Sequence, residues 1–217
     1  MRNCSFQCVY KRLDRKFGPQ SWWPAESPFE VMVGAVLTQN TAWSNVEKAI
    51  DSLRAAELLD PDAIDEVVTG TLAELIRPAG YFNVKAVRLK ALVSWLQKKG
   101  GIDALTDISL KDLRHELLSV HGVGPETADD ILLYAFDHPV FVIDAYTRRL
   151  FSRLGLIVED ASYEALRRQF EIELNKDAQL YNQFHALIVV QAKDVCRKKP
   201  RCAECCLADI CPFPRND

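Results

Sequence analysis

The amino-acid sequence predicts an all-α protein folded as two lobes, and three observations carry that expectation. Apolar residues recur at three- and four-residue spacing along most of the chain, helix-start chemistry precedes several of these runs, and no stretch alternates long enough to make a convincing strand. At 217 residues, 48% hydrophobic and 26% charged, the chain can bury a substantial core. No apolar run approaches the length of a membrane span, and "MRNCSFQCVYKRLDRK" (1–16) lacks the apolar stretch of a secretion signal, so a cytoplasmic location is expected. The net charge of −3 supplies no global attraction for a polyanion. Any such binding must come from local basic patches, of which there are two, "KRLDRK" (11–16) and "CRKKPRC" (196–202).

The elements follow in chain order. Ser27-Pro28-Phe29-Glu30 reads as a capping box with proline at the first helical position, opening "PFEVMVGAVLTQ" (28–39). Ser44 and Glu47 repeat the box for "NVEKAIDSLRAA" (45–56). Apolar periodicity marks further helices over 71–77, 83–98, 109–119, 125–136, 145–154, 162–174 and 177–195. The one β-rich run, "PVFVID" (139–144), is short. "RPAG" (77–80), "KKGG" (98–101) and Gly122-Val123-Gly124 interrupt the helices, and there is no internal repeat or low-complexity segment.

The last of these breaks carries chemistry. Helices over "SLKDLRHELLSV" (109–120) and "ETADDILLYAF" (126–136), joined through Gly122 and Gly124, make a helix-hairpin-helix. Loop amides at the start of the second helix, where the dipole favours negative charge, form a phosphate clasp, and Pro125 fills the first turn without wasting a donor. Gly122, Val123, Gly124, Glu126 and Thr127 are therefore candidate phosphate contacts, and an ordinary tight helix–helix turn is the alternative.

Five of the seven cysteines fall in the last 22 residues. That clustering is too uneven for a disulfide framework, and a cytoplasmic protein would keep the thiols reduced. The spacing C-x5-C-x2-C-x5-C selects Cys196, Cys202, Cys205 and Cys211 as metal ligands. Four thiolates suit either structural zinc or an iron–sulfur cluster, and spacing does not choose between them. Cys4, Cys8 and Cys206 receive no role.

The pattern HGVGPETAD (121–129), then VFVIDAYTRRL (140–150), then a four-cysteine tail resembles the helix-hairpin-helix DNA glycosylase superfamily, in its endonuclease III-like branch. "LTQNT" (37–41) and "RPAGYFNVKAVRL" (77–89) precede them in the same order as in that family. The resemblance covers nearly the whole chain. It implies a two-lobed fold, with a six-helix domain over 29–138 holding the hairpin, and a second lobe of 1–28 plus 139–217 bearing the cysteines. It implies that Asp144 is the catalytic carboxylate and that the tail carries a four-iron four-sulfur cluster, although the first cysteine gap is one residue shorter than the family's usual gap. The hairpin is also a candidate site for a monovalent cation.

Bifunctional members carry a lysine where this sequence has Glu126. A carboxylate cannot form a Schiff base with the sugar, so the expected activity is that of a monofunctional glycosylase leaving an abasic site. Asp144 would stabilise the oxocarbenium-like sugar as the N-glycosidic bond breaks, and it can also cap the helix that follows. Trp22, Trp23 and Trp43 can sandwich an extruded base, and their π-faces attract a cationic one. Trp22-Trp23-Pro24 followed by LTQNT and an aromatic residue looks like the 3-methyladenine DNA glycosylase III subgroup, in which such aromatics line the base pocket and glutamate stands at the hairpin. Gln39 matches the family position that fills the gap left by the flipped nucleotide. Arg197, Lys198, Lys199 and Arg201 are expected to contact phosphate. The expected partner is double-stranded DNA bearing a damaged, alkylated purine, bound by a monomer. The alternatives are a glycosylase for oxidised bases, uracil or mismatched thymine, and a non-catalytic iron–sulfur DNA-binding module.

Overall fold

The structure is a computed structural model that describes residues 4–20 and 22–213. The chain packs as two units, one formed by residues up to Trp22 together with Pro139 onward, the other by Trp23–His138. Every regular element among the described residues is helical.

The continuous unit contains α2 (Pro28–Leu37), α3 (Trp43–Ala55), α4 (Pro61–Glu66), α5 (Thr69–Leu75), α6 (Phe82–Lys98), α7 (Leu110–Ser119) and α8 (Pro125–Phe136). All of Phe29–Leu37 is buried, so α2 is the central helix, apolar all round, with α3, α6 and α8 packed against it. Its start is as the sequence indicates: Ser27 Oγ accepts from the Glu30 amide at 3.2 Å with Pro28 at the first position. The reciprocal half is shifted by one residue, because Glu30 Oε2 accepts from the Glu26 amide rather than that of Ser27. The second capping box does not form. Helix α3 begins at Trp43 with Ala42 at its cap, which places Ser44 inside the helix and frees Glu47 to accept the Trp43 indole N–H at 2.8 Å. With α4 the unit has seven α-helices among its described residues, one more than the six expected. Helix α4 is only six residues long and starts on Asp60 and Pro61, too short for periodicity to reveal.

The other unit contains α1 (Phe6–Phe17), α9 (Ala145–Arg153), α10 (Tyr163–Glu173) and α11 (Ala178–Asp194). Its core is aromatic: Phe141 stacks on Phe170 at 4.3 Å, and Phe6, Phe151, Phe184 and Tyr181 surround them. Helix α1 lies under the segment read only as a basic patch, and it supplies Phe6, Val9 and Leu13 to that core. Cys4, just before the Ser5 cap, and Cys8, in the first turn, are joined by a disulfide, a pairing for which the sequence offered no role. The β-rich run "PVFVID" forms no strand and no helix, and it has no strand partner among the described residues. Side chains take over its amides instead, Glu171 Oε1 accepting from Phe141 N at 3.2 Å and the Tyr163 hydroxyl from Ile143 N at 3.4 Å.

Candidate active site

Asp144 stands where the β-rich run meets α9. Val140, Phe141, Val142 and Ile143 are all essentially fully buried and fix the backbone that presents it. Its Oδ1 accepts the Thr147 amide at 2.7 Å, the N-cap bond of α9. Its Oδ2 lies 3.6 Å from His185 Nε2 on α11, an ion pair only when the imidazole is protonated. The Asp144 side chain is 13% exposed. Burial alone would raise its pKa. The facing His185 imidazole and the Thr147 amide outweigh burial, so the group is held below the usual carboxylate range and remains ionised. The result is a fixed, mostly desolvated anion with one oxygen committed to the backbone.

The hairpin is built as its glycines require. Gly122 adopts φ +84°, and a Cβ there would overlap the side chain of Arg88, which lies across it. Gly124 caps α8, Pro125 follows, and Glu126 is exposed in the first turn. Val123 and Thr127 are buried. Arg114 on α7 clamps the buried Asp129 on α8 through two bonds of 2.6 and 3.1 Å and so sets the angle of the pair. Gln39 is drawn inward to this loop: its amide nitrogen donates to the Gly122 carbonyl at 3.0 Å and to Thr127 Oγ1 at 2.9 Å, while Arg88 donates to its oxygen. To fill a gap in a duplex, Gln39 would have to release these partners.

Trp23 and Trp43 meet edge to face at 5.4 Å, and Trp23 also lies over Tyr134 at 4.8 Å. They wall a pocket of about 330 Å³ whose floor includes Gly34 and Ile50. A Cβ at Gly34 would sit 3.3 Å from the Trp23 ring, so the glycine is what lets the indole lie against α2. Trp23 holds this position at φ 63°, an unusual conformation for so large a residue, which marks a site the surrounding structure has stabilised. Trp22 belongs to the other unit and is half-buried.

Cys196, Cys202, Cys205 and Cys211 line one cavity with Leu150, Leu154, Val195 and Leu207, and Cys206 is not among its lining residues. Gln191 Nε2 donates to Cys205 Sγ at 3.1 Å and Arg153 to Cys196 Sγ at 3.3 Å. Burial pushes the Cys205 and Cys211 thiols up. Among the described residues no three donors converge as a single bound ion requires. The four thiols, with N–H donors to two of their sulfurs, are the donor chemistry that a four-thiolate site, zinc or iron–sulfur, would use. Arg197, Lys198, Lys199 and Arg201 project from the loop between the first two cysteines and are all exposed. Arg153 accounts for that outward direction by donating to the carbonyls of Arg197 at 2.7 Å and Lys198 at 3.1 Å.

Four participants escaped the sequence reading. His185 and Tyr134 sit in apolar periodic runs and look like core residues; Arg88 is one of several basic residues on the periodic helix over 83–98; Glu47 was assigned to a capping box. Only spatial proximity reveals their partners. Tyr81 was missed as well. It is an aromatic side chain 71% exposed and held at φ 47°, beside the half-exposed Val84 and Val87.

An all-helical chain with a glycine hairpin opening one helix and an ionised aspartate capping another defines a helix-hairpin-helix protein of DNA base repair. The chain belongs to the HhH-GPD superfamily of base excision DNA repair proteins, whose sequence model matches residues 33–176, and it is by family a DNA glycosylase. A Methanocaldococcus jannaschii protein named as a DNA repair glycosylase is 50% identical over 206 residues, covering 94% of each chain. Endonuclease III of Sulfolobus acidocaldarius is 28% identical, covering 85% of this chain and 82% of its own. Among solved structures, the H. pylori 3-methyladenine DNA glycosylase bound to 1,N6-ethenoadenine superposes with a TM-score of 0.75 at 32% identity, covering 85% of this chain and 95% of that one. An endonuclease III–DNA complex, at 22% identity, shares the fold with a TM-score of 0.81, covering 95% and 93%. No helix among the described residues is long and apolar enough to cross a membrane.

Proposed function

We propose that the protein is a monofunctional DNA glycosylase that binds double-stranded DNA and hydrolyses the N-glycosidic bond of alkylated purines, leaving an abasic site. The observation that carries the reading is the mostly desolvated, ionised Asp144 in a chain whose hairpin offers a carboxylate, Glu126, where a Schiff base would need an amine. As the bond breaks, positive charge develops on the deoxyribose, and the Asp144 carboxylate stabilises it and orients the water that adds to C1′. The base, already cationic when alkylated, needs little further activation to leave. Trp23 and Trp43 receive it, with Trp22 contributing to its selection.

One buried amine has to be considered as a rival nucleophile. Lys85 on α6 has its pKa lowered by burial and by the Arg88 charge to about 8, a range in which a lysine can form a Schiff base. It is 1% exposed, however, and its Nζ donates to the carbonyls of Leu37 and Ala79 at 2.8 Å each. That role is to fix the end of α2, not to meet a sugar.

Phosphate contact falls to the hairpin amides of Gly122, Val123 and Gly124 with Thr127, and to Arg197, Lys198, Lys199 and Arg201. Cys196, Cys202, Cys205 and Cys211 would hold a four-iron four-sulfur cluster, which when bound supplies a fixed cross-link and local charge beneath this basic loop. The direct experiment is release of free base from alkylated duplex DNA, with strand scission and borohydride trapping measured in parallel. Base release without a trapped adduct is the expected result; a covalent enzyme–DNA adduct refutes the monofunctional reading. A panel of oxidised, uracil and thymine-mismatch duplexes decides specificity, and release from one of these but not from alkylated DNA moves the assignment there.

A further inference from the structure

We propose that Glu47 makes the Trp23–Trp43 pocket selective for charge, admitting planar aromatic cations ahead of neutral bases of the same shape. This rests on the reading above that the pocket receives the excised base, and it adds a residue and a rule of selection to it.

The pocket volume of about 330 Å³ suits a single purine ring system, and two indoles supply its walls. Three carboxylates and one guanidinium also line it, Glu30, Glu47, Asp51 and Arg54. Their pairing is unequal. Arg54 lies 2.8 Å from Glu30 and 3.0 Å from Asp51, which accounts for its positive charge. Glu47 has no ion-pair partner among the described residues; its Oε1 accepts the Trp43 indole N–H at 2.8 Å. A carboxylate so placed acts twice. Its own charge attracts a cation in the pocket, and by accepting from the indole it pushes electron density into the ring whose face the cation would meet.

The timing of the charge fixes which kinetic constant responds. An N-alkylated purine is cationic while joined to the sugar and neutral once released, because the bonding electrons leave with the base and the positive charge passes to the sugar. Glu47 therefore stabilises the bound substrate more than the transition state, so its loss should raise KM without lowering kcat, and kcat/KM should change less than KM. Asp144, beside the developing sugar cation, should show the opposite split.

The test compares wild-type protein with Glu47→Gln and Glu47→Asp on duplexes carrying N3-methyladenine, a cation, and 1,N6-ethenoadenine, a neutral base. For Glu47→Gln the KM for the cationic lesion relative to that for the neutral one should rise roughly three- to fivefold, the scale of a cation–π contact beside an exposed carboxylate. The kcat for the cationic lesion should not fall, and Glu47→Asp should restore part of the change in KM. A second measurement needs neither variant nor turnover: 7-methylguanosine, assayed at mildly acidic pH, should quench the wild-type tryptophan fluorescence at lower concentration than guanosine. An equal rise in KM on both lesions in Glu47→Gln would show that Glu47 only buttresses Trp43, and equal quenching by the two nucleosides, weak or strong, would show that the pocket ignores charge; either overturns the inference. If the wild type releases no alkylated base yet prefers 7-methylguanosine, the proposed function fails while the pocket's selectivity stands. Release of alkylated base without a nucleoside preference is the reverse case.

Discussion

Replacing Asp144 by Asn separates the charge of this residue from its shape. Asparagine caps a helix about as well as aspartate, so the bond to the Thr147 amide and the start of α9 should survive at a cost of a few tenths of a kcal/mol. What disappears is the anion. A carboxylate about 4 Å from a full positive charge, at an effective dielectric of about 20, stabilises it by ~4 kcal/mol. At ~1.4 kcal/mol per tenfold, that is a rate loss of about a thousandfold. The assay is single-turnover base release from alkylated duplex with enzyme in excess, alongside DNA binding by fluorescence anisotropy. Binding should change little while the chemical step collapses. Stability supplies a second check. The folded-state pKa of Asp144 is depressed, so its contribution is present above the unfolded carboxylate pKa of about 3.9 and is lost as pH falls through the folded value. Wild type should accordingly melt slightly above Asp144→Asn at neutral pH, and the two should converge in acid. Single-turnover rates within tenfold of each other, or a binding loss as large as the rate loss, would refute the role given to this carboxylate.

Further outcomes follow from the same geometry. Removing the facing imidazole with His185→Gln should raise the Asp144 pKa and shift the acid limb of the pH–rate profile upward, and an unmoved limb would exclude His185 as a positioning residue. Gly122→Ala should cost about 2 kcal/mol in urea unfolding, since φ is +84° and the new methyl collides with Arg88. Wild-type stability should rise with pH above about 8, because the unfolded chain keeps a proton on Lys85 that the folded chain gives up; Lys85→Met should remove that rise and cost about 2 kcal/mol at neutral pH by stranding a buried carbonyl. Purified protein should contain iron and absorb in the visible, Cys205→Ser should abolish this and Cys206→Ser should not; stoichiometric zinc in place of iron would overturn the cluster assignment.

The fold was legible because its signals are local. Buried helices such as α2 announce themselves through continuous apolar sequence and a proline-led cap, and the hairpin through glycines whose angles other residues cannot adopt. What stayed hidden depended on distance in sequence. Glu47 shows the limit: Ser44 and Glu47 have capping-box spacing, yet the helix begins two residues earlier, at Trp43, whose indole captures the carboxylate, so a correct local rule gave the wrong partner. Asp144 was visible as a lone acid after an apolar run, but His185, 41 residues later, meets it only through the packing of α11 against α9. The Cys4–Cys8 disulfide was invisible for a different reason, since two cysteines one turn apart carry no spacing signal until the helix is known to start there.

The cysteine tail and the aspartate, 52 residues apart at their nearest, are one mechanical assembly within their unit. Helix α9 carries Asp144 at its front end. From the same helix Arg149 donates to the carbonyls of Cys196 and Ala192, each at 2.9 Å, and Arg153 to those of Arg197 and Lys198. These bonds end on backbone atoms, so they fix the course of the loop whatever side chains it bears, and they leave Arg197, Lys198 and Lys199 directed to solvent. Loosening the loop should therefore disturb both the phosphate-contacting charges and the helix that aims the carboxylate. Arg149→Gln tests this coupling, because it leaves every exposed loop cation and every cysteine in place. A drop in the single-turnover rate together with weaker, less salt-dependent DNA binding is expected, whereas a change confined to thermal stability would show that the tail and the aspartate act independently.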